Sequence, residues 1–297
     1  MMAECIDGKA LAAETRAKVK AGVEELKART GIVPGLGVVL VGDDPASRSY
    51  VTAKERALEE AGMRSVDVRL PAETSQDELL AVIARLNANP QVHGILVQLP
   101  LPKGLDAEAV IQAIAPEKDV DGFTPINVGR MILGQPCFLP CTPHGVLRLL
   151  QKAGAVTRGA HAVVVGRSDI VGRPLANLLS RKAPDGDATV TLCHSATPDL
   201  ARFTREADIL IVATGRPHTV TGDMVKPGAV VIDVGVNRVP DPTAQRGYRL
   251  RGDCDFESVA QVASKVTPVP GGVGPMTIAM LLENTLVAAQ RAAGGQS

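Results

Sequence analysis

Residues 161–179, HAVVVGRSDIVGRPLANLL, pass from an unbroken apolar run into a glycine-bounded turn and then into a helical pattern. A strand that feeds directly into a helix N-terminus presents free backbone N–H groups and the positive end of the helix dipole. That arrangement receives a nucleotide's phosphates. The spacing departs from the GxGxxG of the usual dinucleotide turn. Gly166, Ser168 and Gly172 give G-x-S-x-x-x-G, one residue longer and with a hydroxyl in place of the middle glycine. By itself the turn fits both a cofactor site and an ordinary strand-to-helix connection that uses glycine for close packing.

Helical and strand patterns alternate along the whole chain, which predicts α/β layering around parallel sheets. Helices are expected over 9–29 and 46–61, from the Ser75/Glu78 capping box to about Asn87, and near 106–115; buried strands are expected at 35–42 and 94–100, with SVDVRLP between. The polar connection PEKDVDGFTP marks the expected boundary between a substrate domain at 1–122 and a Rossmann-like domain at 123–288, with 289–297 as a tail frayed from about residue 293. HAVVVG, ATVTLC, DILIVATG and GAVVIDVG predict a second, doubly wound parallel sheet with a cleft between the two domains. Thr142-Pro143 and Thr197-Pro198 read as helix N-caps with proline at the first helical position. The loop VTPVPGGVGP (266–275) and the stretch near Gly215 fall at strand ends, where open α/β sheets bind ligands. A last helix is expected from near Pro275 to about Ala292, free to pack back on the first domain.

Composition narrows the function classes. Lys plus Arg (32) balances Asp plus Glu (32), so no global field recruits nucleic acid or an anionic membrane. Aromatic residues are 2% of the chain, which argues against base stacking. Cys5, Cys137, Cys141, Cys193 and Cys254 form no C-x2-C pair, and Cys137, Cys141 and His144 lack an evident fourth ligand, so no metal is expected. Neither a signal peptide nor an apolar run of membrane-spanning length is visible, and a soluble cytoplasmic protein is expected.

Several residue types suggest chemistry. Tyr50 and Lys54 are four apart on an expected helix, so phenol and ammonium share a face; the alternative is a half-packed tyrosine beside a solvated lysine. Short-chain dehydrogenases carry Tyr-x-x-x-Lys after the cofactor turn, whereas here it comes long before, which disfavours that family. Gln98, inside an apolar strand, is either satisfied by backbone or faces a cleft. Asp119 and Asp121 are either turn-forming aspartates or a carboxylate gripping a guanidine-like ligand edge. Cys193, His194 and Ser195 stand where NAD sites usually place an acid, and Arg167 lies in the turn, which favours NADP over NAD.

Taken together, SYVTAKERALEEAG, GILVQLPLP, PEKDVDGF, PCTPHGV, VVVGRSDIVGRP, VIDVGVNR and PVPGGVGPMT resemble the bifunctional methylenetetrahydrofolate dehydrogenase/methenyltetrahydrofolate cyclohydrolase family, in its order and spacing, from about residue 5 to residue 288. The resemblance implies a first domain carrying Tyr50, Lys54, Gln98 and Asp121. It implies a second domain that binds NADP through Gly166, Arg167, Ser168, Gly172, Ser195, Gly215 and Val236, and through which two chains pair as a homodimer. The implied chemistry belongs to one-carbon metabolism: hydride transfer from 5,10-methylenetetrahydrofolate to NADP, then hydrolysis of the methenyl cation to 10-formyltetrahydrofolate.

In that chemistry Lys54 transfers protons, a cationic substrate and partial burial both favouring its neutral amine. Gln98 holds the amine, Tyr50 orients it and packs on the folate, and Asp121 grips the pterin. Gly271, Gly272, Val273 and Pro275 form a floor that permits close approach. KAPDGDA (182–188) and PDPTAQRGYRLRGDCDF are departures that look expanded or variable. Competing readings are a dehydrogenase of another small substrate, a monofunctional dehydrogenase and a non-catalytic folate- or nucleotide-binding regulator. Lys54 and Gln98 argue against the second, because hydride transfer alone needs no base, and the presence of Lys54 argues against the third. Without a G-x4-GK[ST] loop or length for a third domain, no attached formate ligase is expected.

Overall fold

Parallel strands covered on both faces read as unbroken apolar runs, and the central strands of this chain do so. The structure, a computed structural model, describes residues 2–244 and 247–294. The elements in chain order are β1 (Glu4–Cys5), α1 (Gly8–Thr30), β2 (Gly35–Val41), α2 (Pro45–Glu60), β3 (Arg64–Leu70), α3 (Gln76–Ala88), β4 (Gly94–Val97), α4 (Ala107–Gln112), α5 (Pro125–Ile132) and α6 (Cys141–Lys152). There follow β5 (His161–Val165), α7 (Gly172–Ser180), β6 (Thr189–Cys193), α8 (Leu200–Thr204), β7 (Ile209–Val212), β8 (Val230–Asp233), β9 (Asn237–Pro240), β10 (Tyr248–Arg251), α9 (Phe256–Val259), β11 (Lys265–Val266) and α10 (Val273–Ala292). Contacts divide the chain into two compact units.

One unit comprises Ala13–Cys141 and the chain from Ile278 onward, around a parallel sheet of order β3-β2-β4. β2 is central and every residue of it is buried. Leu79, Val82, Ile83 and Leu86 of α3 pack on Val39, Val41, Ile95 and Val97. The Ser75/Glu78 capping box is present, each side chain accepting the other residue's backbone N–H. The strand expected over 94–100 ends at Val97: the Gln98 N–H still bonds the Val39 carbonyl at 2.9 Å, but Pro100 has no N–H with which to continue a ladder. Within this unit the second part of α10 is anchored by Asn284, whose Nδ2 donates to the carbonyls of Val120 (2.8 Å) and Leu139 (3.1 Å), and by the Arg291 guanidinium 4.7 Å from the Phe138 ring centre.

The other unit comprises the chain up to Ala12 and Thr142–Thr277, around a six-stranded parallel sheet of order β1-β11-β8-β7-β5-β6. β1, which lies within the segment expected to form the first domain, pairs with β11 here. β5 pairs with β6 on one side and with β7 on the other, so the chain reverses its direction of travel across the sheet at β5. That reversal opens a crevice beyond the C-terminal ends of β5 and β7. The segment after β8 forms the antiparallel hairpin β9–β10; part of the variable stretch noted in the sequence, and residues 295–297 of the expected tail, lie outside the described residues.

Both expected threonine caps are corrected. α6 begins at Cys141, so Thr142 lies inside the helix and its hydroxyl pairs with that of Thr277 at 3.0 Å. Thr197 accepts the His194 N–H at 2.9 Å instead of capping α8, whose N-cap residue is Asp199. The Thr-Pro cap occurs instead at Thr124-Pro125, where the Thr124 hydroxyl accepts the Asn127 N–H. Replacing Asn284 with alanine leaves the Val120 and Leu139 carbonyls without this donor. The unfolding free energy measured in urea is expected to fall by about 1–3 kcal/mol.

Candidate active site

In the three-stranded unit, α2 starts at the Asp44 N-cap, whose carboxylate accepts the Ser47 N–H at 2.7 Å, and it carries Tyr50 and Lys54 on one face. Lys54 is half-buried and its Nζ donates to Gln98 Oε1 at 3.0 Å. Gln98 Nε2 donates to the Leu99 carbonyl at 2.7 Å, which fixes the amide with its oxygen toward the lysine. The polar residue inside the apolar run is therefore satisfied by backbone and also holds an amine. Tyr50 is 46% exposed.

The two aspartates separate cleanly. Asp119 is buried and accepts from the Phe123 N–H (3.1 Å), the Thr124 N–H (2.8 Å) and hydroxyl (2.7 Å), and Asn127 Nδ2 (2.8 Å). It is the turn-forming residue. Asp121 is half-buried, and its carboxyl is pushed up to about 6, first by desolvation, with Asp119 raising it further while Lys54 and a hydrogen bond with Cys141 pull it down. Lys54, Gln98, Asp121 and Cys141 thus form one electrostatically coupled group.

Cys141 was marked in the sequence only as a metal-ligand candidate. Burial, then the Asp121 charge, push its thiol well above the ordinary cysteine value. It stays protonated and donates to the Val120 carbonyl at 3.3 Å. Among the described residues no group of three or more His, Cys, Asp or Glu side chains could hold a metal ion.

In the six-stranded unit, a cavity of about 350 Å³ opens beyond β5, β6 and β7, and Gly166, Arg167, Ser168 and Ser195 line it. A Cβ at Gly166, which has φ 122°, would run into the Ala213 carbonyl, and one at Gly172 would run into that of Gly166. Glycine is required at both positions to bring the turn against β7 and α7. Ser168 Oγ accepts the N–H groups of Val171 (3.2 Å) and Gly172 (3.5 Å), which explains how a hydroxyl serves in this longer turn.

Gly172, Gly215 and Val236 do not line the cavity. Gly215 lies in the loop after β7, where its N–H and that of Thr214 donate to Asp253 Oδ2 at 2.9 and 2.5 Å. Val236 is exposed beyond the Asp233–Gly235 turn. Asp233 accepts the N–H groups of Gly235, Asp253 and Cys254 at 2.8–3.0 Å, and burial pushes its carboxyl up to about 6 despite them. Gly271, Gly272 and Val273 are buried and Pro275 is half-buried. The sequence reading missed Asp233 and Asp253, because their partners lie as far as 39 residues away.

The cavity suits a phosphorylated nucleotide on its own chemistry. Its lining holds two arginines, two serines and two threonines and no acid, and the Gly166–Gly172 turn lets backbone approach.

Comparison with known proteins matches both parts of the chain to one family. Residues 6–121 match the model of the tetrahydrofolate dehydrogenase/cyclohydrolase catalytic domain, and residues 140–293 match that family's NAD(P)-binding domain. The bifunctional protein FolD of Moorella thermoacetica is 60% identical over 291 residues, covering 98% of this chain and 100% of that one. The crystal structure of the bifunctional FolD dehydrogenase/cyclohydrolase of Campylobacter jejuni is 49% identical with a TM-score of 0.91, covering 97% and 98% of the two chains. The Trypanosoma brucei enzyme, solved with NADP and an inhibitor, is 42% identical with a TM-score of 0.94, covering 98% of each.

The fold and the two sites are those of a two-domain α/β dehydrogenase and hydrolase. The chain belongs to the tetrahydrofolate dehydrogenase/cyclohydrolase family, and it is a bifunctional enzyme that joins the two activities.

The raised Asp121 carboxyl has a consequence for stability. Its folded value, about 6, lies above the ordinary 3.8, so the stability it contributes is fully present below 3.8 and is lost as pH rises through 6. Relative to Asp121→Asn, the wild-type unfolding free energy is expected to fall by on the order of 1–3 kcal/mol between pH 4 and 7. Urea titrations at a series of pH values read this difference; a constant difference contradicts the burial of this carboxyl.

Proposed function

We propose that the chain oxidises 5,10-methylenetetrahydrofolate to the 5,10-methenyl form with NADP, then hydrolyses that product to 10-formyltetrahydrofolate, with Lys54, Gln98, Tyr50 and Asp121 as its folate-site residues. The 3.0 Å hydrogen bond between Lys54 and Gln98 carries the reading of roles. Hydride transfer by itself needs no acid or base, so an amine held in a fixed direction belongs to the hydrolytic step.

When bound, NADP accepts the hydride. Lys54 takes a proton from the water that adds to the methenyl carbon and returns one to the ring nitrogen as the bridge opens, with one net proton released to solvent. Gln98 restrains the amine and Tyr50 offers its ring to the folate from the same helix face. The Asp121 carboxylate accepts two parallel hydrogen bonds from the pterin edge. Gly271, Gly272, Val273 and Pro275 contribute substrate-contacting surface in the six-stranded unit. Gly166, Arg167, Ser168 and Ser195 hold the nucleotide, while Gly172, Gly215 and Val236 shape or border its site.

We read the three-stranded unit as the folate-binding domain and the six-stranded unit as the NADP-binding domain; against the 1–122 and 123–288 expected from the sequence, residues up to Ala12 go to the second, and 123–141 and the chain from Ile278 go to the first. The working form is a homodimer paired through the NADP-binding domain, acting in the cytoplasm on a small-molecule substrate, without nucleic acid or membrane. The family resemblance supports the pairing, and no described helix is long and apolar enough to cross a membrane.

Lys54→Met is expected to lower methenyl hydrolysis by about 100- to 10,000-fold while hydride transfer suffers less. Following NADPH and methenyl absorbance together on 5,10-methylenetetrahydrofolate tests this. The variant should accumulate a methenyl product that wild type clears, and unchanged hydrolysis removes Lys54 from the mechanism.

A further inference from the structure

Arg167 is not the only cation facing the nucleotide cavity. Arg216, in the loop that follows β7, lines the same space of about 350 Å³ as Arg167, Ser168 and Ser195. The residues that line the cavity include no aspartate or glutamate, so Arg167 and Arg216 meet no counter-charge within its wall. Among the described residues, neither guanidinium has a hydrogen-bonding or ion-pair partner. Two cations lining one acid-free cavity favour an anionic ligand there.

The backbone that presents Arg216 is also constrained. Its N–H donates to Thr214 Oγ1 at 3.3 Å, and its carbonyl accepts the Thr219 hydroxyl at 2.8 Å. The Thr214 and Thr219 hydroxyls lie 3.0 Å apart, and the N–H groups of Thr214 and Gly215 are bound by the Asp253 carboxylate. Asp253 is itself buried, and its own N–H is held by Asp233. Arg216 is exposed, and this base fixes the backbone from which its side chain extends.

Charge balance then points to the group recognised. A phosphate monoester carries −1.5 to −2 charges near neutral pH, roughly, so a single arginine leaves it about half neutralised. Two guanidinium groups and the Ser195 hydroxyl match both its charge and its three terminal oxygens. We propose that Arg216 is a second specificity-determining residue for NADP, sharing its 2′-phosphate with Arg167. The proposal rests on the reading of this cavity as the nucleotide site, and it adds a residue beyond the glycine turn and the strand end that the sequence pointed to.

Calorimetric titration with adenosine 2′,5′-bisphosphate and with 5′-ADP separates the possibilities, using wild type, Arg167→Ala, Arg216→Gln and Arg216→Lys. Arg216→Gln is expected to weaken the 2′,5′-bisphosphate by about 5- to 30-fold and 5′-ADP by less than about twofold, and Arg216→Lys to recover much of the loss. The gap between the two ligands should narrow with added salt. In steady-state assays of the same variant, KM should rise for NADP and not for NAD. Equal losses for both ligands would assign Arg216 to the 5′-phosphates and overturn the proposal, as would unchanged affinity for both. If Arg167→Ala loses the bisphosphate preference while Arg216→Gln keeps it, the cavity reading stands and the Arg216 assignment alone falls. If wild type shows no preference for the bisphosphate, the cavity reading fails and the Arg216 assignment falls with it.

Discussion

Buried carboxylates that accept backbone N–H groups hold the loops on which the chemistry depends. Asp119 gathers the N–H groups of Phe123 and Thr124 and the side chains of Thr124 and Asn127. Asp233 and Asp253 do the same for the turns after β8 and β7. Sheet ladders end where strands end, so residues displayed beyond a strand need another set of acceptors. A carboxylate meets that need with two oxygens and a charge, and these bonds are stronger than bonds to neutral carbonyls. Burial opposes ionisation, and the Asp233 carboxyl shows the outcome: it sits near 6 although three N–H groups favour its charged form.

The same arrangement separates structural from chemical acids. Asp119 and Asp121 are two residues apart on one loop, yet Asp119 has four donors around it while Asp121 lies in the field of Lys54 beside Cys141. Asp119 builds the turn, and none of those four donors reaches Asp121. Cys141 takes part through a hydrogen bond and not as a nucleophile, because burial beside Asp121 keeps the thiol protonated. Charge is likewise distributed locally. The chain is neutral overall, but the cavity beyond β5, β6 and β7 is lined by two arginines and no acid, which gives it a local attraction for phosphate.

Much of the architecture was legible in the sequence because it depends on short-range periodicity. The apolar runs from GLGVVLV to VVID became the buried strands β2, β4, β5, β7 and β8, and Ser75/Glu78 formed the expected capping box. The G-x-S-x-x-x-G turn was legible for the same reason. Its glycines are separated by one turn of chain and contact each other directly, so spacing alone encodes the close approach. Local patterns failed where a side chain had a distant alternative. Thr142 and Thr197 looked like caps, but hydroxyls bond whatever donor or acceptor the fold brings near, here Thr277 and His194.

The sequence by itself determined the α/β class, the strand that leads into the nucleotide turn, and the residue types available for proton transfer and phosphate binding. Those properties follow from hydrophobic periodicity and from backbone limits that act within a few residues. Only the tertiary structure decided which of two neighbouring aspartates holds the turn, that Gln98 meets Lys54 across 44 positions, and that β1 completes the six-stranded sheet. It alone placed Arg216 on the same cavity as Arg167, since that depends on β7 returning next to β5. Contacts of this kind are set by strand order and loop closure, and neither is written in the pattern of any single segment.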